Sequence, residues 1–535
     1  MCGIFGYLSI YDQDDSYFDN IKHRGPDYSK LLKIFNTKYK ISLGFHRLSI
    51  IDIKGKTQPF YYKKADKQIY LVCNGEIYNY KTLIKKYKLN TKSDCYVILD
   101  MYLQGKTIYE IVEELDGEFA FVMVIIQNNN VNIYYARDRF GIRPLFYKFD
   151  KTGFYFASEL KGLIGGNGVQ VEPRKVYYTN MKEETVYTYY YIGQKYQVFN
   201  DYTYDNILSI VRISLEFSVR NRMQSERSLG ALLSGGLDSS LICGIASKIL
   251  SEKGERLNTF SIGMDEDSPD ILNARKVAKY INSVHHEIII PVEKWIENLK
   301  NIIKQIETYD ITTIRASTGQ YLISKWISDN TDIKVILNGD GSDEVTSGYL
   351  YFYNSPSSDD SHVENLILLN QIHNYDVLRV DRGISTFGLE SRVPFLDHHF
   401  VDTYLSINKS LRNPIKGERM EKYLLRKAFE REKIIPDDVL WRVKEAFSDG
   451  CSSVKKSWYE YIQEYVDMEV SDDEFTGNNL ENTFPSKEAY WYYKIFKEYY
   501  PESDLKVNYW MPKWTKEHGG DPSARLLKSL KSIEV

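Results

Sequence analysis

Three stretches of the chain carry residues whose types and spacing can do chemistry. The first is MCGIFGY at residues 1–7, one removable methionine ahead of a cysteine. A thiol there is either a small buried hydrophobe or the nucleophile of an enzyme whose working chain starts at Cys2. The second is LLSGGLDSS, residues 232–240, an apolar run that delivers Ser234, Gly235 and Gly236 to a helix beginning near Asp238. Adjacent glycines let the backbone approach a phosphate, the helix start offers free N–H groups and positive potential, and Ser239 and Ser240 add hydroxyl donors. A Walker A loop needs a lysine after its last glycine, and none follows here, so the cradle is of another kind. Asp238, an acid inside an anion site, makes sense mainly as a ligand for Mg²⁺. The third stretch, NGDGSDE at 338–344, follows the apolar run VIL and offers Asp343 as a second ligand. Each loop has a plain alternative: a serine-glycine turn capping a helix in one case, a solvated turn in the other.

These residues need elements to hold them. Residues 1 to about 190 contain many short runs of β-branched and aromatic residues between turn signals, with helical patterns only around 80–87 and 94–115. That predicts an α+β domain of stacked antiparallel sheets. The polar, turn-prone segment GQKYQVFNDYT at 193–203 marks a boundary, so we expect domains at 2–195 and 204–535. Beyond it strands alternate with helices, as in a doubly wound α/β domain with a parallel sheet and helical additions, where loops at strand ends converge on a ligand.

The 535 residues allow two to four domains of about 100–200 residues each. A net charge of −4 with 43% hydrophobic residues describes an ordinary globular chain and implies no nucleic-acid partner. With no long apolar run and no signal-peptide pattern, the expectation is a cytoplasmic protein without a membrane partner. Five widely spaced cysteines without CxxC pairing argue against disulfides or zinc. His285 and His286, adjacent in an extended run, would face opposite ways and receive no catalytic role.

Taken in order, the motifs resemble the glutamine-dependent asparagine synthetases over nearly the whole chain. MCGIFG, HRGPD (23–27), HRLSIID (46–52), NGEIYN (74–79), SDC (93–95) and RDRFGIRPLFY (137–147) are similar to class II glutamine amidotransferases of the N-terminal nucleophile hydrolase fold. SGGLDSS, TTIRAS (312–317), NGDGSDE, RVPFLD (392–397) and KEAFSDG (444–450) are similar to PP-loop ATP pyrophosphatases. YWMPKW (509–514) and DPSAR (521–525) resemble the family's tail and carry no assigned chemistry.

The resemblance implies activation of the aspartate side chain with MgATP, release of pyrophosphate, and attack on β-aspartyl-AMP by ammonia from glutamine, passed through an internal tunnel. ATP is then a substrate and Mg²⁺ the cofactor, with glutamine and aspartate as the other small-molecule partners; a homodimer stays open. Cys2 would be the nucleophile, with its own α-amine as base, since that amine titrates at about 7.7–8.0. Asn74 and the Gly75 N–H would form the oxyanion hole, Arg47 would grip the glutamine carboxylate, and Glu76 and Asp94 its ammonium. Gly3 and Gly6 would let the first strand lie close to the glutamine. On the residues alone, Asn74-Gly75 reads as a hairpin turn, Arg47 as a surface ion pair and Asp94 as a helix N-cap.

In the second domain the same resemblance points to Leu233, Ile262 and Gly339 for the adenosine moiety. Ser234, Gly235, Gly236, Asp238, Ser239 and Ser240 would hold the pyrophosphate, with Asn338 alongside, and Asp238 and Asp343 the Mg²⁺. Arg315 and Lys444 would be cations beside the reacting phosphates, and Asp376 is a candidate for the aspartate pocket. Where the family reads SGEGSDE, this chain has Asn338 and Asp340; Asp340 keeps the carboxylate that assists ammonia deprotonation but is one methylene shorter. Two rivals remain at this stage: a related amidotransferase acting on another carboxylate, and an idle chain that binds glutamine or nucleotide. Intact-mass spectrometry is expected to find the mature chain without Met1; a retained methionine would take the free α-amine away from Cys2 and with it the glutaminase proposed here.

Overall fold

The short apolar runs of the first 190 residues pair into two six-stranded antiparallel sheets. One has the order Val169–Gln170, Phe146–Asp150, Gly153–Ala157, Gly3–Ser9, Lys40–Arg47, Tyr28–Phe35; the other runs Glu184–Thr188, Lys175–Thr179, Asn130–Arg137, Gly117–Gln127, Lys67–Ile77, Phe60–Lys64. Successive side chains of a strand face opposite ways. In Lys67–Ile77, Val72 therefore joins Ile4, Leu43 and Phe45 between the sheets, while Leu71 and Cys73 pack outward against three helices. This computed structural model describes residues 1–36, 38–192, 202–444, 447–515 and 521–522. Most of the 193–203 segment, two residues of KEAFSDG and the end of DPSAR lie outside the described residues.

The helices are Tyr80–Tyr87, Tyr96–Leu103 and Ile108–Glu114. The single helical pattern expected over 94–115 is thus two helices. Gly105 sits at φ +93° and Thr107 caps the next helix in a reciprocal box with Glu110, which stops one helix and starts another. Gly6 also departs from expectation: a Cβ there would stand 2.6 Å from the Phe156 ring, so the glycine makes room for core packing.

After helix Tyr204–Arg222, a five-stranded parallel sheet takes the order Val284–Ile289, Asn258–Gly263, Leu229–Leu232, Val335–Leu337, Glu390–Arg392. The chain lays Leu229–Leu232 first, adds strands to one side, then crosses to place Val335–Leu337 on the other. That reversal opens a crevice at the carboxyl ends of these two neighbours, where open α/β sheets bind ligands. Both glycine-rich loops leave from those two ends. The C-terminal helices Trp458–Glu469 and Lys487–Tyr499 bury Trp458 and Trp491 in the main core beside Trp295 of helix Val292–Ile306. Among the described residues no helix is long and apolar enough to cross a membrane.

The two sheet systems meet along a seam of buried ion pairs. Glu118, with no solvent exposure, accepts from Arg143 at 2.8 Å and from Arg222 at 3.1 Å. Arg24, equally buried, donates to Asp381 at 2.7 Å and binds Glu159 as well. Removing one partner of a buried pair leaves a charge without compensation and costs about 3–5 kcal/mol. Arg24→Met is therefore expected to unfold at clearly lower denaturant than the parent by about that amount, and the double change Arg24→Met/Asp381→Leu to recover part of the loss, both measured by equilibrium denaturation.

Candidate active sites

The first site forms where Gly3–Ser9 lies against Lys40–Arg47. The register sets Gly3 opposite His46, which brings Arg47 beside Cys2. Asn74, within strand Lys67–Ile77, accepts from the Cys2 nitrogen through Oδ1 at 3.1 Å. Its Nδ2 is buried and has no partner among the described residues, so a donor is left facing the thiol's surroundings. Asn74-Gly75 is thus mid-strand and not a hairpin turn, and Gly75 is glycine because a Cβ would stand 2.4 Å from the Glu118 carbonyl. Arg47 donates to the Asp52 carbonyl at 2.7 Å, which orients its guanidinium. Asp94 accepts from the Ile77 N–H at 3.0 Å while Cys95 caps the following helix, so the N-cap alternative falls. Glu76 is buried with Oε2 3.5 Å from Arg392 Nη2, and burial together with Glu390 and Asp94 raises its pKa well above the usual carboxylate range.

With Met1 attached the Cys2 nitrogen is an amide and not an amine. Met1 is fully buried, its amine donates to the Leu389 carbonyl at 3.1 Å, and burial lowers that amine to about 6. Burial pushes the Cys2 thiol up to about 12. The nitrogen that becomes the α-amine on loss of Met1 is the one Asn74 already holds.

The second site is a cavity of about 240 Å³ at the strand ends. From the loop after Leu229–Leu232 it takes Leu233, Ser234, Gly236, Asp238 and Ser239, and from the neighbouring strand Ile262. Gly235 and Ser240 do not line it: Gly235, at φ +73°, backs onto Ala274, and Ser240 is fully buried. Asn338, Gly339, Asp340 and Asp343 come from the loop after Val335–Leu337. A Cβ on Gly339 would stand 2.9 Å from the Ser239 N–H nitrogen, so only glycine lets the two loops touch. Asn338 Oδ1 accepts from the Asp340 N–H at 3.1 Å, a turn-closing bond within the loop.

Charges face one another across this cavity. Asp238 and Asp343 both point at the Lys422 ammonium, at 2.5 and 2.6 Å, and Lys444 lies 2.7 Å from Asp343. Burial raises the Asp343 carboxyl, but Lys422 and Lys444 outweigh it and hold the group well below its ordinary range. Two carboxylates converging on one cationic position are hard oxygen donors of the kind Mg²⁺ takes, and in that respect the residues fit the metal. Arg379 pairs with both Asp340 and Asp376, and Gln320 donates to Asp340 at 3.1 Å. Burial raises the Asp340 pKa, with Arg379 opposing. Arg315 lines the cavity, but Glu488 at 2.6 and 2.9 Å and Asp521 at 2.8 and 2.9 Å hold both edges of its guanidinium.

The sequence profile of the asparagine synthase family matches residues 211–367 and 354–527, and that of the glutamine amidotransferase domain residues 1–204. The glutamine-hydrolyzing asparagine synthetases of Cricetulus griseus and Homo sapiens are each 40% identical over 573 residues, covering 99% of this chain and 99% of the relative. That of Gallus gallus is 41% identical over 571 residues with the same coverage. The chain belongs to the asparagine synthase family. Lys422, Arg379 and Gln320 also line the cavity and are not among the residues expected from the sequence. Lys422 stands in RMEKYLLRKAF, an ordinary basic helix start with no loop signature, and nothing in its spacing marks it.

Burial disfavours the thiolate of Cys2, and the thiolate is the form that alkylates. A chain that retains Met1 is expected to label with iodoacetamide at Cys2 more slowly than a free thiol of ordinary pKa. Peptide mapping reads this at one position, since Cys73, Cys95, Cys243 and Cys451 are buried.

Proposed function

We propose that the chain is a glutamine-hydrolysing asparagine synthetase. The observation that carries this reading is the meeting of two strand-end loops, one bringing Asp238 and the other Asp340 and Asp343, around a single cavity in the chain that also holds Cys2 against Asn74. In the first half-reaction the Cys2 sulfur bonds to the glutamine amide carbon and its proton goes to the Cys2 α-amine. The oxyanion that develops takes hydrogen bonds from Asn74 Nδ2 and the Gly75 N–H. The C–N bond then breaks, the α-ammonium returns its proton to the leaving ammonia, and water hydrolyses the thioester to glutamate. Arg47 holds the substrate carboxylate, while Glu76 and Asp94 receive its ammonium.

In the second half-reaction the β-carboxylate of aspartate attacks the α-phosphorus of ATP and pyrophosphate departs. The backbone near Leu233, Ile262 and Gly339 seats the adenosine; Ser234, Gly236 and Ser239 offer donors to the phosphates. Asp238 and Asp343 would hold Mg²⁺, which when bound would neutralise part of the polyphosphate charge. Lys444 adds positive charge beside the departing pyrophosphate. Ammonia then attacks the β-aspartyl-AMP carbonyl, its proton passes to Asp340, and AMP leaves with asparagine formed. Asp340 reaches this position on a shorter side chain than glutamate, with Arg379 and Gln320 fixing its carboxylate. Arg315 can meet a phosphate only by exchanging Asp521 or Glu488 for it.

Pyrophosphate release from ATP and aspartate, driven by glutamine or by ammonium, tests the scheme. Cys2→Ala is expected to abolish the glutamine-driven reaction and keep the ammonium-driven one; loss of both would sink the two-site arrangement. Asn74→Ala should slow glutamine hydrolysis by about 10²–10³-fold. Asp340→Ala should depress the ammonium-driven rate and Asp340→Glu should not; equal rates for both variants and the parent would remove Asp340 from the reaction. Release driven by another carboxylate in place of aspartate would reassign the acceptor.

A further inference from the structure

Lys422 is built into its position. It precedes helix Tyr423–Glu430 in the left-handed region, φ +58° and ψ +22°, an uncommon conformation for a lysine. Its side chain is 1% exposed. A Cβ on Gly348 would stand 2.1 Å from Lys422 Cε and 2.2 Å from Asp343 Oδ1, so the absence of a side chain at 348 is what lets the lysine reach the carboxylates. Its ammonium lies 2.5 Å from Asp238 Oδ2 and 2.6 Å from Asp343 Oδ1, one carboxylate from each loop. Asp238 is further fixed by the Ser342 hydroxyl, which donates to Oδ1 at 2.8 Å. Lys444, on the outer side, is 2.7 Å from Asp343 and 3.8 Å from Asp238.

Two ammonium groups thus stand against two carboxylates. A divalent ion entering alone would have to place its oxygen bonds, about 2.0–2.1 Å long for Mg²⁺, where an ammonium already stands, and would leave two positive side chains facing a dication. An ion arriving with ATP brings four phosphate charges with it. Those oxygens are charged acceptors at which both lysines make short, strong hydrogen bonds, so the carboxylates are released to the metal as the ammonium groups find new partners.

We propose that Lys422 is a resident counter-ion: it occupies the metal position between Asp238 and Asp343 in the nucleotide-free enzyme, keeps free divalent cations out, and transfers to the phosphate oxygens when the metal enters as its ATP complex. The proposal rests on the reading of Asp238 and Asp343 as metal ligands given above.

Mn²⁺ binding to the full chain without nucleotide, followed by electron paramagnetic resonance, tests it. The parent is expected to bind no Mn²⁺ at this site below millimolar concentration, whereas Lys422→Met should gain one site at least 10-fold tighter and lose it again in Lys422→Met/Asp238→Asn. Mn²⁺ should raise the melting temperature of Lys422→Met and leave the parent's unchanged, which also reports whether the variant is folded. With MgATP, Lys422→Met should raise the KM for nucleotide at least 10-fold and Lys422→Arg should restore part of it. One tight Mn²⁺ site in the nucleotide-free parent that is lost in Asp238→Asn overturns the proposal. Mn²⁺ binding by Lys422→Met that equals the parent's, while binding of MnATP still depends on Asp238 and Asp343, overturns it and leaves the metal assignment standing. A Lys422→Met site that survives Asp238→Asn places the metal elsewhere, and both statements fall.

Discussion

Both sites hang on the three-residue strand Glu390–Arg392. Its neighbours on one side are Met1, whose amine meets the Leu389 carbonyl, and Glu76, which faces Arg392. The Ser391 carbonyl accepts from Arg143 of the first domain at 3.0 Å. On the other side the strand pairs in parallel with Val335–Leu337, and the Arg392 carbonyl accepts from the Asn338 N–H at 2.9 Å, the first bond of the loop that carries Asp340 and Asp343. At about 3.3 Å per residue, the position opposite Glu390 lies roughly 10 Å from the start of that loop. The strand therefore touches the surroundings of one site and the base of the other site's loop.

Such a strand could not lie between two charged sites unless its charges were matched. Arg392 is fully buried and is compensated by Glu390 at 2.8 Å, with Glu76 beyond. The same rule holds along the seam, where Arg24, Arg143 and Arg222 each meet carboxylates that solvent does not reach. Burying an ion is expensive, and its partner offsets that cost only with close geometry. Each pair therefore fixes the relative placement of the segments that bear it more tightly than apolar packing alone, which tolerates sliding. The cavity follows the same logic: Asp343, Lys422 and Lys444 form one balanced set, and Arg379 with Asp340 and Asp376 another.

Much of this was legible before the fold was known, and the reason is local. Gly235 and Gly339 are demanded by the backbone's own conformation and by contact between loops, and each stands in a motif whose neighbours in sequence are its neighbours in space. Asn74, Gly75 and Glu76 share one strand, and Asp238 to Ser240 one helix start. The misreadings share a cause as well. Gly6 was assigned to a substrate when its space is filled by Phe156, 150 residues away in sequence and adjacent across a strand pair. One helical pattern over 94–115 concealed a break, because periodicity is blind to a left-handed glycine followed by a capping box.

By itself the sequence determined the local features: a thiol at position 2, the two strand-end loops with acids at 238, 340 and 343, and the division into antiparallel and parallel sheet systems. Only the tertiary structure decided which charge answers which. Lys422 meets Asp238 across 184 residues, and Arg315 meets Glu488 across 173 and Asp521 across 206. An ion pair depends on distances of a few ångströms between side-chain tips, and no spacing along a chain encodes those until the sheet order has brought the strands side by side.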